Sequence, residues 1–515
     1  MKASRILMSV FALAALVGCS QNQEENEVVG GGEVEKSYLS VNVKSTESLT
    51  RAGEVYEDGT ADEKSVSSAH FFFFDDNGTP VSVNGNNNYI KKTLTVNDND
   101  PANDNIESVG GVLVLEKAQT ALTPTQMVVV LNWDYNSTSL GLAALKNTLI
   151  AENKLHNSGT NFLMSNAVYY DTTNSVVKDA VAITEANLAD SQANAVANPV
   201  TVYVERLAAR VTVAAASTIL VPLDAESQTV AGAEIQIAIL GWNLVSTQPK
   251  TKMVKAINPT WTDGALGFAW NNPTHFRSYW AVSEQGGVNN NFTYNNLTNP
   301  IGYVEYCGEH ADATSDLDHT KVVIAAQLQK KSTGDPFELA QWYGAEYAGT
   351  TSLLAAVAPT LANNLMHKDG NTYTAIDDDQ LKCVGDDSVD SYEVIFQLAD
   401  GVPTTDWYSY DGVNYTPVTN PNVVLAAIEP ARIYKSGYTY YSVDIKHLAN
   451  GRFGVIRNHS YKINITGVTG LGTPVYDPAV NIETPEVPVD EYTYLQSTIN
   501  VLAWRLIEQD TVLGQ

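Results

Sequence analysis

The stretch YLSVNVK at residues 38–44 alternates apolar and polar side chains, so Leu39, Val41 and Val43 fall on one face. A period of two is typical of a half-buried β-strand. Beyond this stretch, the chain repeats short apolar runs that end in turn residues, as in AHFFFF at residues 69–74 followed by DDNG at 75–78. This pattern predicts an all-β protein made of antiparallel β-sandwiches with minor helices.

Other segments carry the same signal. In the first part of the chain we expect strands at residues 111–116, 127–133, 162–167 and 201–214, and one short helix at 142–150. In the second part we expect strands at 233–245, 301–307, 321–328, 438–445 and 459–465.

Length and the gaps in this pattern suggest how the chain is divided. At 515 residues it is too long for one ordinary domain. The strand signal lapses at residues 220–229 into Pro, Asp, Glu and Ser before it resumes. We therefore expect one β-sandwich domain at 52–219 and a second, looser one at 220–484. Whether the second carries an inserted subdomain between Asn271 and Tyr434 stays open.

Charge and cysteine content limit the classes of function. The formal net charge is −28, from 58 acidic and 30 basic residues. It opposes contact with phosphates, so we expect no nucleic-acid partner. Three cysteines, Cys19, Cys307 and Cys383, are too few for a disulfide framework, and only the last two are candidates to pair.

The N-terminus reads as a lipoprotein signal peptide over residues 1–18. Lys2 and Arg5 supply its positive region, residues 6–15 are apolar, and LVGC at 16–19 is a lipobox. Cys19 is therefore expected to receive a diacylglyceryl group and to hold the precursor on a membrane. No later run reaches the ~20 apolar residues needed to cross a bilayer, so this lipid is the expected membrane attachment.

A basic residue follows the strand at 38–44. Arg51 precedes Ala52 and Gly53 and is flanked by Ser, Thr and Glu, which makes it an accessible site for a trypsin-like protease. Alone the signal is weak, because arginines are common in loops.

The C-terminal segment has two parts. Residues 485–490, PEVPVD, should form a stiff, extended spacer. The run at 496–507 contains no proline and carries apolar side chains on both faces, as a buried strand does: Ile499, Val501 and Ala503 on one face, Leu502, Trp504 and Leu506 on the other, and Ile507 at its end. Because residues 457–473 already look like the end of a domain, we interpret residues 485–515 as a spacer and a strand donated to another copy. The alternative is that this strand is the last one of its own domain.

Motifs of enzyme or metal chemistry are weak in this sequence. No nucleophile elbow, P-loop or zinc motif occurs, and we expect no enzyme activity, cofactor or metal site. His310 and His319 lie among acidic residues and are expected at the surface. Acidic runs at 97–100 and 377–379 lack the spacing of an EF-hand loop. The aromatic clusters at 342–343 and 407–410 suit either sugar stacking or core packing.

Several segments together resemble the fimbrillins of Bacteroidales-type (type V) pili, in particular the major subunits of short fimbriae. The most specific are YYSV at 440–443, GVIRNHSYKINI at 454–465 and GVTGLGT at 467–473. MSN at 164–166 and ERLAA at 205–209 resemble signatures of the first domain, and INVLAW at 499–504 with QD at 509–510 resembles the short-fimbria tail.

The resemblance implies two transthyretin-like β-sandwich domains and a fixed order of maturation. The precursor would be lipidated, exported to the outer surface and cut between Arg51 and Ala52 by an Arg-specific protease. Removal of the propeptide, residues 19–51, would displace the strand that contains Leu39, Val41 and Val43. The vacant place would then accept the tail of an identical subunit.

The expected partners are therefore identical copies in a homopolymer, anchor and tip fimbrial subunits and the protease, with the surface receptors unknown. Two alternatives stay open: a tip or accessory adhesin, and a monomeric surface lipoprotein that binds or cuts polysaccharide. A stalk subunit must both accept and donate a strand, and a plausible Arg51 site together with a plausible tail favours the stalk.

Overall fold

The computed structural model describes residues 34–45, 56–57, 59–93, 108–118, 122–171, 176–222, 229–257, 292–310, 319–386, 388–448, 452–482 and 504–513. Strands dominate these residues and the helices are short, so the all-β prediction is confirmed.

The first part of the chain has a strand within each predicted run and further short strands between these runs. They are β1 (Val34–Ser45), β2 (Tyr56–Glu57), β3 (Ser68–Phe74), β4 (Tyr89–Thr93), β5 (Ser108–Ala118), β6 (Gln126–Leu131), β7 (Leu149–Ala151), β8 (Met164–Asn166), β9 (Tyr169–Asp171), β10 (Val176–Lys178), β11 (Val181–Ala182), β12 (Leu188–Ala189), β13 (Val200–Arg206) and β14 (Ala208–Ala215).

The later strands are more numerous than the sequence suggested. They are β15 (Ile219–Leu220), β16 (Thr229–Val230), β17 (Ala233–Val245), β18 (Lys250–Lys252), β19 (Val304–Gly308), β20 (Lys321–Lys330), β21 (Leu339–Trp342), β22 (Ala345–Tyr347), β23 (Met366–Asp369), β24 (Thr372–Ala375), β25 (Leu381–Val384), β26 (Glu393–Leu398), β27 (Trp407–Tyr410), β28 (Tyr415–Val418), β29 (Ala431–Tyr434), β30 (Tyr438–Asp444), β31 (Lys446–Leu448), β32 (Arg452–Phe453), β33 (His459–Val468), β34 (Thr473–Pro474) and β35 (Trp504–Leu513).

Helices are brief. They are α1 (Ala61–Lys64), α2 (Leu142–Lys146), α3 (Gln192–Ala197), α4 (Gly349–Val357) and α5 (Pro421–Ala426), with 3-10 turns at Glu152–Lys154, Glu185–Asn187, Tyr294–Asn296, Ala358–Leu361, Asp378–Gln380 and Lys435–Gly437. The helix predicted at 142–150 is therefore too long. It ends at Lys146, and β7 then pairs with β18.

The first core is built on one sheet in the order β12-β1-β13-β8-β6-β3-β4, with β5 joined to β1 and β11 joined to β6. Phe72, Val128 and Val202 are fully buried in it, together with Leu39 of β1. The aromatic run of β3 is buried on both faces, and β3 lies inside the sheet between β6 and β4.

The second core is a sandwich of two sheets. One has the order β19-β14-β33-β35-β2 and the other β15-β17-β20-β30-β34. Val211 and Ile463 from the first of these sheets meet Ile237 and Ile324 from the second, and all four are fully buried. This packing of two apolar faces is the predicted β-sandwich arrangement.

The chain crosses between the two cores at Leu207. The sequence predicted one strand at 201–214 within the first domain, but β13 belongs to the first sheet and β14 pairs with β33 and β19 in the second core. That prediction of a single strand is wrong. Only the pairing of the strands reveals the break between β13 and β14, because the alternating pattern of the sequence continues across Leu207 without a turn signal.

The two cores share one topological feature. In each, an early strand pairs parallel with a later strand and antiparallel with another: β1 with β13 and β5, and β14 with β33 and β19. Such a strand has neighbours on both edges. Its removal would therefore open the middle of the sheet and not its rim.

A third core interrupts the second. β20 and β30 pair directly with each other, and the strands from β21 to β29 are inserted between them. These strands form the sheets β22-β21-β29-β26-β25 and β24-β23-β27-β28, and they bury Leu353, Phe396 and Trp407. This answers the open question of an insertion, which occupies residues 339–434.

Among the described residues, no helix combines the length and apolar character needed to traverse a membrane.

Candidate functional site

Strand β1 occupies an internal position in the first sheet. On one edge β5 pairs with it antiparallel along residues 34–44. On the other edge β12 pairs with Tyr38 and Leu39, and β13 pairs parallel with residues 41–45. β1 thus has hydrogen-bonding partners on both sides.

Two side chains of β1, those of Leu39 and Val41, lie in the first core. Leu39 is 0% exposed and Val41 is 1% exposed, and Leu39 lies opposite Leu113 of β5. Val43 lies opposite Val202 of β13 in the parallel register. Loss of this strand would uncover apolar side chains of β5 and β13 as well as two rows of backbone groups.

The C-terminal tail lies on the second core of its own chain. β35 runs parallel to β33 from Arg505, opposite His459, to Leu513, opposite Val468. In the part of the chain that the structure describes, its other edge meets the short β2, where Tyr56 pairs with Arg505 and Glu57 with Trp504. In this uncut chain, residues 504–513 therefore pair with the second core of their own chain.

Of the predicted donor residues, Trp504, Leu506 and Ile507 lie in β35, with Leu506 opposite Ser460 and Ile507 opposite Tyr461. Ile499, Val501, Leu502 and Ala503 fall outside the described residues. So do Cys19, Arg51 and Ala52, whose lipidation and cleavage stay predictions.

The segment that follows the predicted cut is fastened to the second core. Besides the pairing of β2 with β35, Glu63 in α1 contacts residues near both cores. Its carbonyl oxygen accepts a hydrogen bond from Arg206 Nε at 3.0 Å, and its carboxylate accepts one from the Tyr306 hydroxyl at 2.6 Å. A cut after Arg51 would therefore release the segment on the N-terminal side and leave residues from Tyr56 onward held.

A buried polar joint connects the two cores, and it is formed by segments far apart in the chain. Arg206 at the end of β13 donates from Nη1 to Asn458 Oδ1 at 3.1 Å. Asn458 in turn donates its backbone N–H to the carbonyl of Ala208 at 2.7 Å. The strand that pairs with β1 and the strand that pairs with β35 are thus joined at their ends.

Two ion pairs complete this joint. Arg457 is 0% exposed and donates from Nε to Glu309 Oε1 at 2.8 Å. Lys255 donates to Glu205 at 3.0 Å, with both side chains almost fully buried. Burial raises the pKa of Glu205 above its usual value, and the charges of Lys255 and Arg457 oppose that rise.

The segments of this joint are recognisable in the sequence only as family signatures, and their contacts with one another are not. Ser165 donates to the carbonyl of Met253 at 2.6 Å, and Arg457 Nη1 donates to the same oxygen at 3.2 Å. The segments MSN at 164–166, ERLAA at 205–209 and RNHS at 457–460 therefore meet in one place. The available signal was the presence of charged residues inside otherwise apolar strand patterns.

The remaining candidate residues, two cysteines and two histidines, are buried. Cys307 and Cys383 are free, buried in different cores, and burial raises the pKa of both thiols. His310 and His319 are 3% and 2% exposed, so the prediction of surface histidines is wrong. His319 contacts Asp444 at 2.7 Å. In the described part of the chain, no group of three or more His, Cys, Asp or Glu side chains is placed to hold a metal ion.

Comparison with known proteins gives one family match. Residues 432–510 match the C-terminal region of the major fimbrial subunit protein type IV, fimbrillin. This range contains β30, β33 and the first part of β35. No curated protein matches the sequence.

Three solved structures show a similar chain path at low identity. A fimbrilin from Porphyromonas gingivalis W83 is 12% identical over 92% of this chain and 97% of its own, with a TM-score of 0.36. A fimbrial assembly protein from Parabacteroides distasonis is 11% identical over 57% and 83%, with a TM-score of 0.29. A C-terminally truncated tip fimbrial protein from Porphyromonas gingivalis is 10% identical over 58% and 79%, with a TM-score of 0.26. At these scores the likenesses carry no conclusion about this chain.

Proposed function

We propose that this chain, a member of the Bacteroidales-type fimbrillin family, is the structural stalk subunit of a cell-surface fimbria. It would be exported as a lipoprotein acylated at Cys19, anchored to the outer membrane and cut after Arg51 by an Arg-specific protease. Copies would then join by strand exchange, with anchor and tip subunits at the fibre ends. The fibre would support adhesion and biofilm formation.

The observation that carries the proposal is the position of β1. It lies N-terminal to Arg51, yet it is an internal strand of the first sheet with Leu39 and Val41 buried. Burial of each such side chain contributes about 1.5–3 kcal/mol, and the vacated sheet would also have two unpaired edges. A processed subunit therefore has a strong driving force to acquire a strand.

The tail is a suitable replacement because its present place is less well paired. Among the described residues, β35 has a full ladder on one edge, with β33, and on the other edge Trp504 and Arg505 pair with β2. A strand in the place of β1 is paired along both edges. Transfer of the tail to the vacated place of another copy would therefore increase its backbone hydrogen bonding, as in other cases of strand addition.

The same geometry supports one polarity for the exchange. An incoming strand must run antiparallel to β5 and parallel to β13, as β1 does. β35 already runs parallel to β33, the strand that holds the corresponding place in the second core. The first core accepts and the second core donates, so successive copies would join head to tail.

We also propose two sandwich domains in the mature chain. The pairing of β14 with β33 supports a division at Leu207 in place of the one expected between 219 and 220. The first domain then runs from Ala52 and the second to about residue 484, followed by the spacer and tail.

Electron microscopy of purified protein tests this function. The cut chain should form regular filaments, and the Arg51→Ala chain, treated with the same Arg-specific protease, should stay monomeric. A chain with the site of an unrelated protease in place of residues 46–51 provides the control, since it should form filaments only after that protease is added. Filaments from uncut Arg51→Ala protein, or monomers after complete cleavage, would refute the proposal.

A further inference from the structure

The inserted third core presents an aromatic surface that fibre formation does not use. In the sheet β24-β23-β27-β28, Lys368 lies opposite Tyr373 and Tyr410 lies opposite Tyr415. Tyr408 is two residues from Tyr410 and so shares its face. These five residues, Lys368, Tyr373, Tyr408, Tyr410 and Tyr415, are called the tyrosine face below.

The opposite side of this sheet packs inward. Trp407 lies one residue from Tyr408, points the other way and is 1% exposed in the third core. The four tyrosines are instead partly exposed, and Tyr415 is 40% exposed. The ambiguity of the run WYSY at 407–410 is thereby resolved: its tryptophan packs in the core and its tyrosines face outward.

The rings of the tyrosine face are held against one another. Tyr373 and Tyr415 stack with centroids 3.7 Å apart, and Tyr415 stacks on Tyr410 at 4.6 Å. Tyr408 meets Tyr373 edge to face at 5.2 Å. The Lys368 ammonium lies 5.5 Å from the centroid of Tyr373 and 5.7 Å from that of Tyr408. Such a cluster is rigid before binding, which lowers the entropy cost of contact.

The size of the face argues against a stable protein partner. Four strands with a spacing of about 4.8 Å and four residues each span roughly 15 by 10 Å, or about 150 Å². A specific protein interface covers about 800 Å² on each partner. The face has room for a few sugar rings and falls well short of the area that a second copy of this chain would need.

Chemistry and charge point to the same class of partner. Phenol rings offer apolar surface and hydroxyls together, which matches the mixed apolar and hydroxylated surface of a sugar. The exposed Asn371 and Asn414 stand at the turns beside the face and supply amide groups. With a net charge of −28, the protein repels polyanions, so an uncharged ligand is favoured.

We propose that the tyrosine face binds a short segment of a neutral polysaccharide. This site lies in the inserted core, away from β1 and β35, and the inference does not depend on strand exchange. It would give every copy in a fibre one weak glycan contact, so that a fibre with many copies would bind through multivalency.

Native gel electrophoresis of the full-length protein, with soluble polysaccharides cast in the gel, tests the inference. The probes are amylopectin, xylan and galactomannan as neutral polymers, with polygalacturonate as the anionic one. At least one neutral polymer should retard the protein. Tyr373→Ala and Tyr415→Ala should each weaken that retardation about tenfold, as expected for the loss of an aromatic contact.

Tyr303, which is 48% exposed outside this face, provides the matched control. Tyr303→Ala should migrate as the unaltered protein does, and the circular dichroism of all variants should be unchanged. Absence of retardation by every neutral polymer would overturn the inference. So would equal retardation of the face variants and the control, retardation by polygalacturonate alone, or loss of self-association in the face variants.

Discussion

Arg206 and Asn458 are 252 residues apart in the chain, and the guanidinium of the first donates to the side-chain oxygen of the second. This contact joins the end of β13 to the start of β33. The strand that would border the vacated place and the strand that holds the tail are thereby fixed relative to each other. In a polymer, that relation would be repeated at every subunit.

Replacement of Asn458 should weaken the joint. Asn458 has φ +58°, in the left-handed region, and Asn458→Ala removes both the acceptor for Arg206 and a residue that tolerates this conformation. We expect a loss of about 2–3 kcal/mol in the free energy of unfolding, measured in urea. Asn458→Gly keeps the backbone conformation and should cost less. Equal stability of Asn458→Ala and the unaltered chain would contradict the role of this joint.

The ion pair between Arg457 and Glu309 should be sensitive to the loss of one partner. Because both side chains are buried, Glu309→Ala removes the carboxylate that pairs with the Arg457 charge, and we expect a cost of about 3–5 kcal/mol. The surface pair of Lys382 and Asp400 is the control, and Lys382→Ala should change the free energy of unfolding by about 0–1 kcal/mol. A small effect of Glu309→Ala in the same urea series would show that the buried pair is dispensable.

The pH dependence of stability should report on Glu305 of β19. Burial, and to a lesser degree the charge of Glu152, raise the pKa of Glu305 from 4.5 to about 7. The folded state therefore keeps a proton that the unfolded state has lost, so the stability from this group is present below about pH 4.5 and is lost as pH rises to about 7. The change should be on the order of 3 kcal/mol.

Glu305→Gln should flatten that part of the profile, because the amide does not ionise. Glu429 is exposed, and Glu429→Gln is the matched control that should leave the slope unchanged. Thermal unfolding between pH 4 and pH 8 measures both. An unaltered slope in Glu305→Gln would mean that another group titrates in this range.

A synthetic peptide of residues 34–45 should block fibre growth. It restores β1 to the vacated place, where Leu39 and Val41 regain their buried positions. The same peptide with Asp at positions 39 and 41 should have no effect, since a buried carboxylate without a partner is strongly unfavourable. Light scattering of freshly cut protein follows growth, and equal inhibition by both peptides would contradict binding in this place.

The local parts of the fold could be predicted from the sequence, and the long-range ones could not. The alternation at 38–44 correctly indicated β1, and the turn DDNG correctly ended β3 at Phe74. The break at Leu207 escaped prediction because β13 and β14 have the same period on either side of it. Only the pairing partners of these strands, far away in sequence, separate them into two sheets.

The pairing partner of the tail could not be predicted from the sequence either. The tail's apolar pattern predicted a strand at 496–507, of which β35 contains residues 504–507, but composition does not reveal whether the partner is β33 of the same chain or β13 of another. The joint could not be predicted either, because Arg206, Glu309 and Arg457 contact their partners only in the folded chain, where both cores are formed. Charged residues within apolar strands were the single clue.

Two complementary deficient chains give the most direct test of strand exchange. The first is cut after Arg51 and lacks residues 496–515, so it has a vacant place and no tail. The second carries Arg51→Ala, so it keeps β1 and has a tail to donate. Each alone should be monomeric by light scattering coupled to gel filtration, and their mixture should form a one-to-one dimer. A mixture that stays monomeric, although the first chain binds the peptide of residues 34–45, would contradict the account.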